Sequence, residues 1–130
     1  MPISQPKYAG FLPGAHEIEA YGQGGFSFGG MSHRGSILAL PSGIRAWNAT
    51  VPQDITIEAL APLFAEEKGS VAYLLIGTGH EFAALDKALR QRLREVGIVV
   101  EPMATGAAAR TYSILLGEGR RVAAALLAAP

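Results

Sequence analysis

The 130-residue sequence contains no cysteine. Disulfide bridges, thiolate nucleophiles and cysteine-ligated zinc are excluded together, and the redox compartment is left unconstrained. Charge is also sparse, at 17% of residues, and eleven Lys and Arg balance eleven Asp and Glu for a formal net charge of zero. That balance favours neither a nucleic-acid backbone nor an anionic membrane as partner. No apolar run approaches the ~20 residues that cross a bilayer, so no transmembrane segment is expected. The opening MPISQPKYAG lacks the basic-then-apolar order of a secretory leader. A cytoplasmic location is the resulting expectation.

What is present suits a compact globular protein. Hydrophobic residues make up 49% of the chain, and the length is sufficient for a core that needs neither metal nor disulfide. A single domain over residues 1–130 is expected, in two styles. From about 7 to 50 the chain reads as short strands punctuated by glycine. Phe26 and Phe28 alternate with Ser27, which puts both rings on one strand face. Pro41-Ser42-Gly43 is a turn signal that folds Ile44–Trp47 back antiparallel to Ser36–Leu40. The glycine-rich stretch Tyr21–Gly30 has no helix after it to meet a phosphate, so it reads as a tight hairpin or bulge.

From about 54 to 128 the pattern becomes strand–helix–strand–helix–strand. Ile57, Leu60, Ala61 and Phe64 have helical spacing, with Asp54 and Thr56 as candidate N-caps. Val71–Ile76 is a continuous apolar run, as in a strand covered on both faces. Phe82, Leu85, Leu89, Leu93 and Val96 predict a helix over Phe82–Val96, with arginines toward its end and Gly97 as its stop. Ile98–Met103 is the next strand, Gly106–Leu116 the next helix and Arg121–Leu127 the last strand. Strands in this order should be parallel. About three helices are expected in all.

Two strand-end turns carry the candidate chemistry. Gly77-Thr78-Gly79-His80 follows one strand, and Thr105-Gly106-Ala107-Ala108 follows the next. With Thr105 as N-cap, first-turn N–H groups face small side chains, an anion could approach the backbone, and Arg110 stands one turn on. Together Gly77, Thr78, Gly79, His80, Thr105, Gly106 and Arg110 outline an anion- or small-molecule-binding crevice. Against it stands a packing role for the small residues, with Arg110 paired to a carboxylate such as Glu101. The Gly77-Thr78-Gly79 turn is neither a phosphate loop nor a dinucleotide fingerprint, since the lysine, the third glycine and the downstream acid are missing. The histidines His16, His33 and His80 are scattered, and no metal, cofactor or catalytic residue is assigned. Trp47 and Phe26 are candidate contacts for a protein partner, with burial in the core as the competing role for Trp47.

Several motifs recur together: Tyr21-Gly22-x-Gly24-Gly25-Phe26, His33-x-Gly35-Ser36-Ile37-Leu38, Leu40-Pro41-x-Gly43, Trp47, Leu75-Ile76-Gly77-Thr78-Gly79 and Thr105-Gly106-Ala107-Ala108-x-Arg110-Thr111-Tyr112. In this order they resemble the family of small domains of unknown function that includes mitochondrial NADH dehydrogenase (complex I) assembly factor three, in its bacterial branch. The resemblance spans about Tyr21 to Leu127, with Ser113 standing where the family pattern has asparagine. It implies a three-layer α/β fold with a mixed central sheet and an additional N-terminal antiparallel β layer. It also implies a non-enzymatic interaction or assembly role, with respiratory NADH dehydrogenase subunits or assembly factors as partners; homo-oligomerisation is left open. The alternative is a small-molecule or anion-binding enzyme using the crevice at Gly77–His80 and Thr105–Arg110.

Overall fold

A computed structural model describes residues 10–130; the start of the hairpin-rich part at residue 7 lies outside them. Among the described residues, nine strands form two sheets. The larger has six strands: β1 (Phe11–Pro13), β5 (Ser36–Leu40), β6 (Gly43–Trp47), β7 (Tyr73–Gly77), β8 (Val99–Met103) and β9 (Val122–Leu126), in the order β1-β6-β5-β9-β7-β8. β7 is parallel to both β8 and β9, while β5 pairs antiparallel with β6 and β9, so the sheet is mixed. The smaller sheet is an antiparallel meander of β2 (Ile18–Gly22), β3 (Gly25–Phe28) and β4 (Met31–Arg34). The helices are α1 (Ala61–Phe64), α2 (Lys87–Glu95) and α3 (Thr105–Gly117).

Strand alternation divides the interior into two cores. Leu38, Leu40, Leu74, Ile76, Ala123 and Ala125 face one side and pack with Leu60, Leu63, Leu89 and Leu93 of the α1 and α2 region. Ile37, Ala39, Leu75, Val122, Ala124 and Leu126 face the other and pack with Phe26 and Phe28 of the small sheet and Ala108, Ala109 and Tyr112 of α3. The three layers are therefore helices, central sheet, and a layer shared by α3 and the small sheet. Covering both faces explains the unbroken apolar runs in β5, β7 and β9. Removing each of these Leu and Ile side chains from water contributes about 1.5–3 kcal/mol.

The hairpin signals are realised. Gln23 and Gly24, both at positive φ, form the two-residue loop between β2 and β3, and the register shifts between Ile18 and Ala20 as a bulge. Two predicted helices are shorter than their periodicity. The span Ile57–Ala65 forms a 3-10 turn, Glu58–Leu60, leading into the four-residue α1. Ile57, not Thr56, takes the N-cap position, although the Thr56 hydroxyl accepts from Ala59 N–H at 3.1 Å; Asp54 serves the preceding turn, accepting from Thr50 N–H at 2.9 Å. Those bonds to Thr50 and Val51 hold the Asp54 carboxyl below its ordinary value.

The helix predicted over Phe82–Val96 begins only at Lys87, because Asp86 caps it by accepting from Ala88 and Leu89 N–H at 3.1 and 3.3 Å. Upstream, the Thr78 hydroxyl accepts from Ala83 N–H at 3.0 Å and donates to the Glu81 carbonyl at 2.7 Å, so residues 78–83 fold as a loop. Phe82 therefore leaves the helix stripe and is 62% exposed.

Candidate functional site

The structure brings the two strand-end turns together at the carboxyl edge of β7 and β8 and joins them to each other. Gly79 N–H donates to Thr105 Oγ1 at 2.9 Å, and Thr105 N–H donates to the Gly79 carbonyl at 2.8 Å. Thr78 N–H donates to the Met103 carbonyl at 2.8 Å. Thr105 is fully buried and is the first residue of α3, with Ala104 in the N-cap position. Its hydroxyl donates inward, to the Leu127 carbonyl at 2.7 Å. The expected capping role is corrected for a physical reason: the hydroxyl is committed to Gly79 and to the C-terminal segment, not to its own helix.

That C-terminal segment is the part of the site the sequence did not announce. Leu127 N–H donates to the Gly77 carbonyl at 2.9 Å, and Ala128 N–H to the Ser36 hydroxyl at 2.9 Å. Gly24 N–H, in the hairpin loop, donates to the Ala129 carbonyl at 2.7 Å. Residues 127–129 thus tie β7, α3, β5 and the small sheet at one corner. The only sequence signal was indirect: Ser36 and Thr105 are polar residues beside apolar strands, where a buried hydroxyl demands a partner.

Close approach explains two glycines. A Cβ on Gly77 would stand 2.9 Å from Thr105 Oγ1 and 3.0 Å from Thr105 Cα. One on Gly106 would stand 2.6 Å from Cζ of Tyr21, whose ring covers the first turn of α3. The bare backbone at Gly106 thus receives the chain's own aromatic ring. His80 is exposed beside the turn.

Arg110 is not part of that corner. It is exposed and lines a groove of about 410 Å³ between β2 and α3, with Glu17, Glu19, Tyr21, Ser113 and Ile114. Among the described residues no ion pair joins it to Glu101. In the same groove Ser113 binds β2 at both backbone groups of one residue, accepting from Ile18 N–H at 2.8 Å and donating to the Ile18 carbonyl at 3.3 Å. A side-chain amide could serve both groups as well, so serine in place of the asparagine implied by the family pattern still ties the layers. Tyr112, one residue earlier, is buried, and its phenol is pushed well above the ordinary tyrosine range by that burial and then by the Glu17 carboxylate.

The two aromatic residues expected as partner contacts lie in the cores. Phe26 is 3% and Trp47 8% exposed, and the indole N–H donates to the Ala59 carbonyl at 2.8 Å. The exposed-contact expectation is corrected for both, and for Trp47 the core role expected beside it holds, because each ring faces the interior side of its strand. The large exposed apolar side chains include Phe82, Tyr21, Val99 and Ile114. Among the described residues no three His, Asp or Glu side chains gather as a metal site, and no helix is long and apolar enough to cross a membrane.

Comparison with known proteins places this architecture. An uncharacterised protein of Rhodobacter capsulatus is 41% identical over 126 residues, covering 97% of this chain and 92% of that one. NADH dehydrogenase [ubiquinone] 1 alpha subcomplex assembly factor 3 of Mus musculus is 34% identical over 119 residues. That match covers 92% of this chain but only 64% of the mouse protein, so the chain spans less than two thirds of that relative. The human assembly factor of the same name is 33% identical over 113 residues, 87% of this chain and 61% of its own. Among solved structures, one described as an outer membrane protein from Bartonella henselae superposes with a TM-score of 0.85 at 47% identity, covering 91% of this chain and 98% of that one. A Rhodopseudomonas palustris protein superposes with a TM-score of 0.80 at 42% identity, covering 98% and 94%. With residues 18–127 matching its model, the chain belongs to the protein family of unknown function DUF498/DUF598 and is homologous to the complex I assembly factor 3 proteins.

Proposed function

We propose that the protein is a non-enzymatic interaction factor that assists assembly of a respiratory NADH dehydrogenase, as a bacterial member of its family acting from the cytoplasm. The observation that carries this reading is the homology to assembly factor 3, which extends over 92% of the chain. The geometry of the strand-end corner supports it. The donors that an anion-binding enzyme would need at Thr78, Gly79 and Thr105 are engaged with Met103, Glu81, Gly79, Leu127 and Thr105 itself. Arg110, its intended counter-charge, lines a different groove. The competing reading of an enzyme using Gly77–His80 and Thr105–Arg110 is therefore the weaker proposal.

The test is depletion in cells that carry the protein. The amount of fully assembled NADH dehydrogenase on native gels should fall and return with a plasmid copy. A tagged copy, crosslinked before lysis, should recover subunits or assembly factors of that enzyme. Unchanged assembly in the depleted strain would sink the proposal.

A further inference from the structure

The cations of this chain are unevenly placed. Lys87, Arg90, Arg92 and Arg94 all lie within the nine residues of α2, against Glu95 as its only acid, although the whole chain is formally neutral. Leu89 and Leu93 are buried and fix the inward direction of the helix. At about 100° per residue, Lys87, Arg90 and Arg94 then share one flank, and Arg92 and Glu95 share the other. The second flank is satisfied internally: Arg92 lies 3.9 Å from Glu95 and 5.7 Å from the centre of the Phe64 ring. The first is not. Lys87, Arg90 and Arg94 are exposed, and among the described residues their side chains make no hydrogen bond, ion pair or ring contact. Two acids beside the helix and on the adjoining strand do not serve this flank. Asp86 caps the helix, and Glu101 alternates with Val100, which faces the α2 side, so its side chain lies on the opposite face of the sheet.

We propose that the Lys87–Arg90–Arg94 flank of α2 docks an acidic segment of a protein partner, with carboxylates spaced over roughly 10 Å, or two helical turns. This rests on the interaction role above and names its surface. A lipid surface fits less well. The apolar residues of α2 are spent on the protein's own core and leave no face to insert, and three free cations fall short of the roughly four to eight that mark an anionic-membrane patch.

The test uses the full chain and a fluorescent helical peptide carrying three glutamates at matching spacing, with its glutamine counterpart as control. Wild type should bind the glutamate peptide in low salt and release it as salt rises. The combined change Lys87→Glu, Arg90→Glu, Arg94→Glu should weaken binding about tenfold or more. Reversal of Arg34, Lys68 and Arg120, an equal change in net charge elsewhere, should alter it less than about twofold. The milder triple change to glutamine serves if reversal disturbs the helix by circular dichroism. Equal loss in both sets would overturn the proposal as a net-charge effect. So would flank-dependent binding to phosphatidylserine vesicles without peptide binding, or a dimer of wild type that the flank change dissociates. In cells, wild type that captures NADH dehydrogenase proteins while the flank variant does not supports the flank. Equal capture by both rejects the flank alone, and no capture by wild type rejects the assembly reading itself.

Discussion

At the residue scale, Thr105 holds the strand-end corner. Its Oγ1 accepts from Gly79 N–H and donates to the Leu127 carbonyl with no exposure to solvent. Thr105→Val keeps the shape but removes the partner of the buried Leu127 carbonyl and of the part-buried Gly79 N–H, and should destabilise the protein by about 2–4 kcal/mol in urea titration. Thr105→Ser retains the hydroxyl and should lose less than half of that. The two close-approach glycines should part company. Gly77→Ala pushes a methyl against Thr105 backbone at 3.0 Å and should lower stability by about 1–3 kcal/mol. Gly106→Ala meets first the ring of Tyr21, which is 49% exposed and can swing aside, while alanine improves the helix. A change within about 1 kcal/mol is expected, read from the same titration, with altered tyrosine fluorescence reporting the displaced ring.

At the element scale, local chemistry overrode periodicity between Thr78 and Asp86. The stripe from Phe82 to Val96 matched a helix, yet Asp86 and the Thr78 hydroxyl supplied a nearer start and an alternative loop. Side chains that bond the backbone compete with helix formation, and a hydrophobic count does not register them. In β8, proline is tolerated for a reason only the register reveals. Val99 N–H donates toward Ala72 and the Met103 carbonyl accepts from Thr78, so odd positions bond β7 and Pro102 faces outward on the open edge of the sheet. Its missing N–H removes a donor from that edge and discourages pairing with another chain. Pro102→Val should leave folding intact but raise self-association, seen as concentration-dependent light scattering. An unchanged monomer at high concentration would refute that role.

At the scale of the whole molecule, β9 couples the two cores. Ala124 faces Tyr112 and the small sheet, Ala125 faces the α1 and α2 side, and both are fully buried. Ala124→Leu and Ala125→Leu should each lower stability by about 1–3 kcal/mol through overpacking. Because the cores share one sheet, Trp47 fluorescence and far-ultraviolet circular dichroism should follow the same single transition in both variants. Separate transitions would show the cores to be independent. The sequence by itself determined the alternation of hairpins and βαβ units, the parallel strands and the apolar runs, because these follow from local periodicity and turn chemistry. It also marked the glycines at both strand ends. Only the tertiary structure decided that the two turns close on each other, that Arg110 lies in another groove and that Phe26 and Trp47 are interior. Those outcomes depend on which distant groups meet, such as Thr105 with Leu127 or Tyr21 with Gly106, and contacts of that separation leave no local period in the chain.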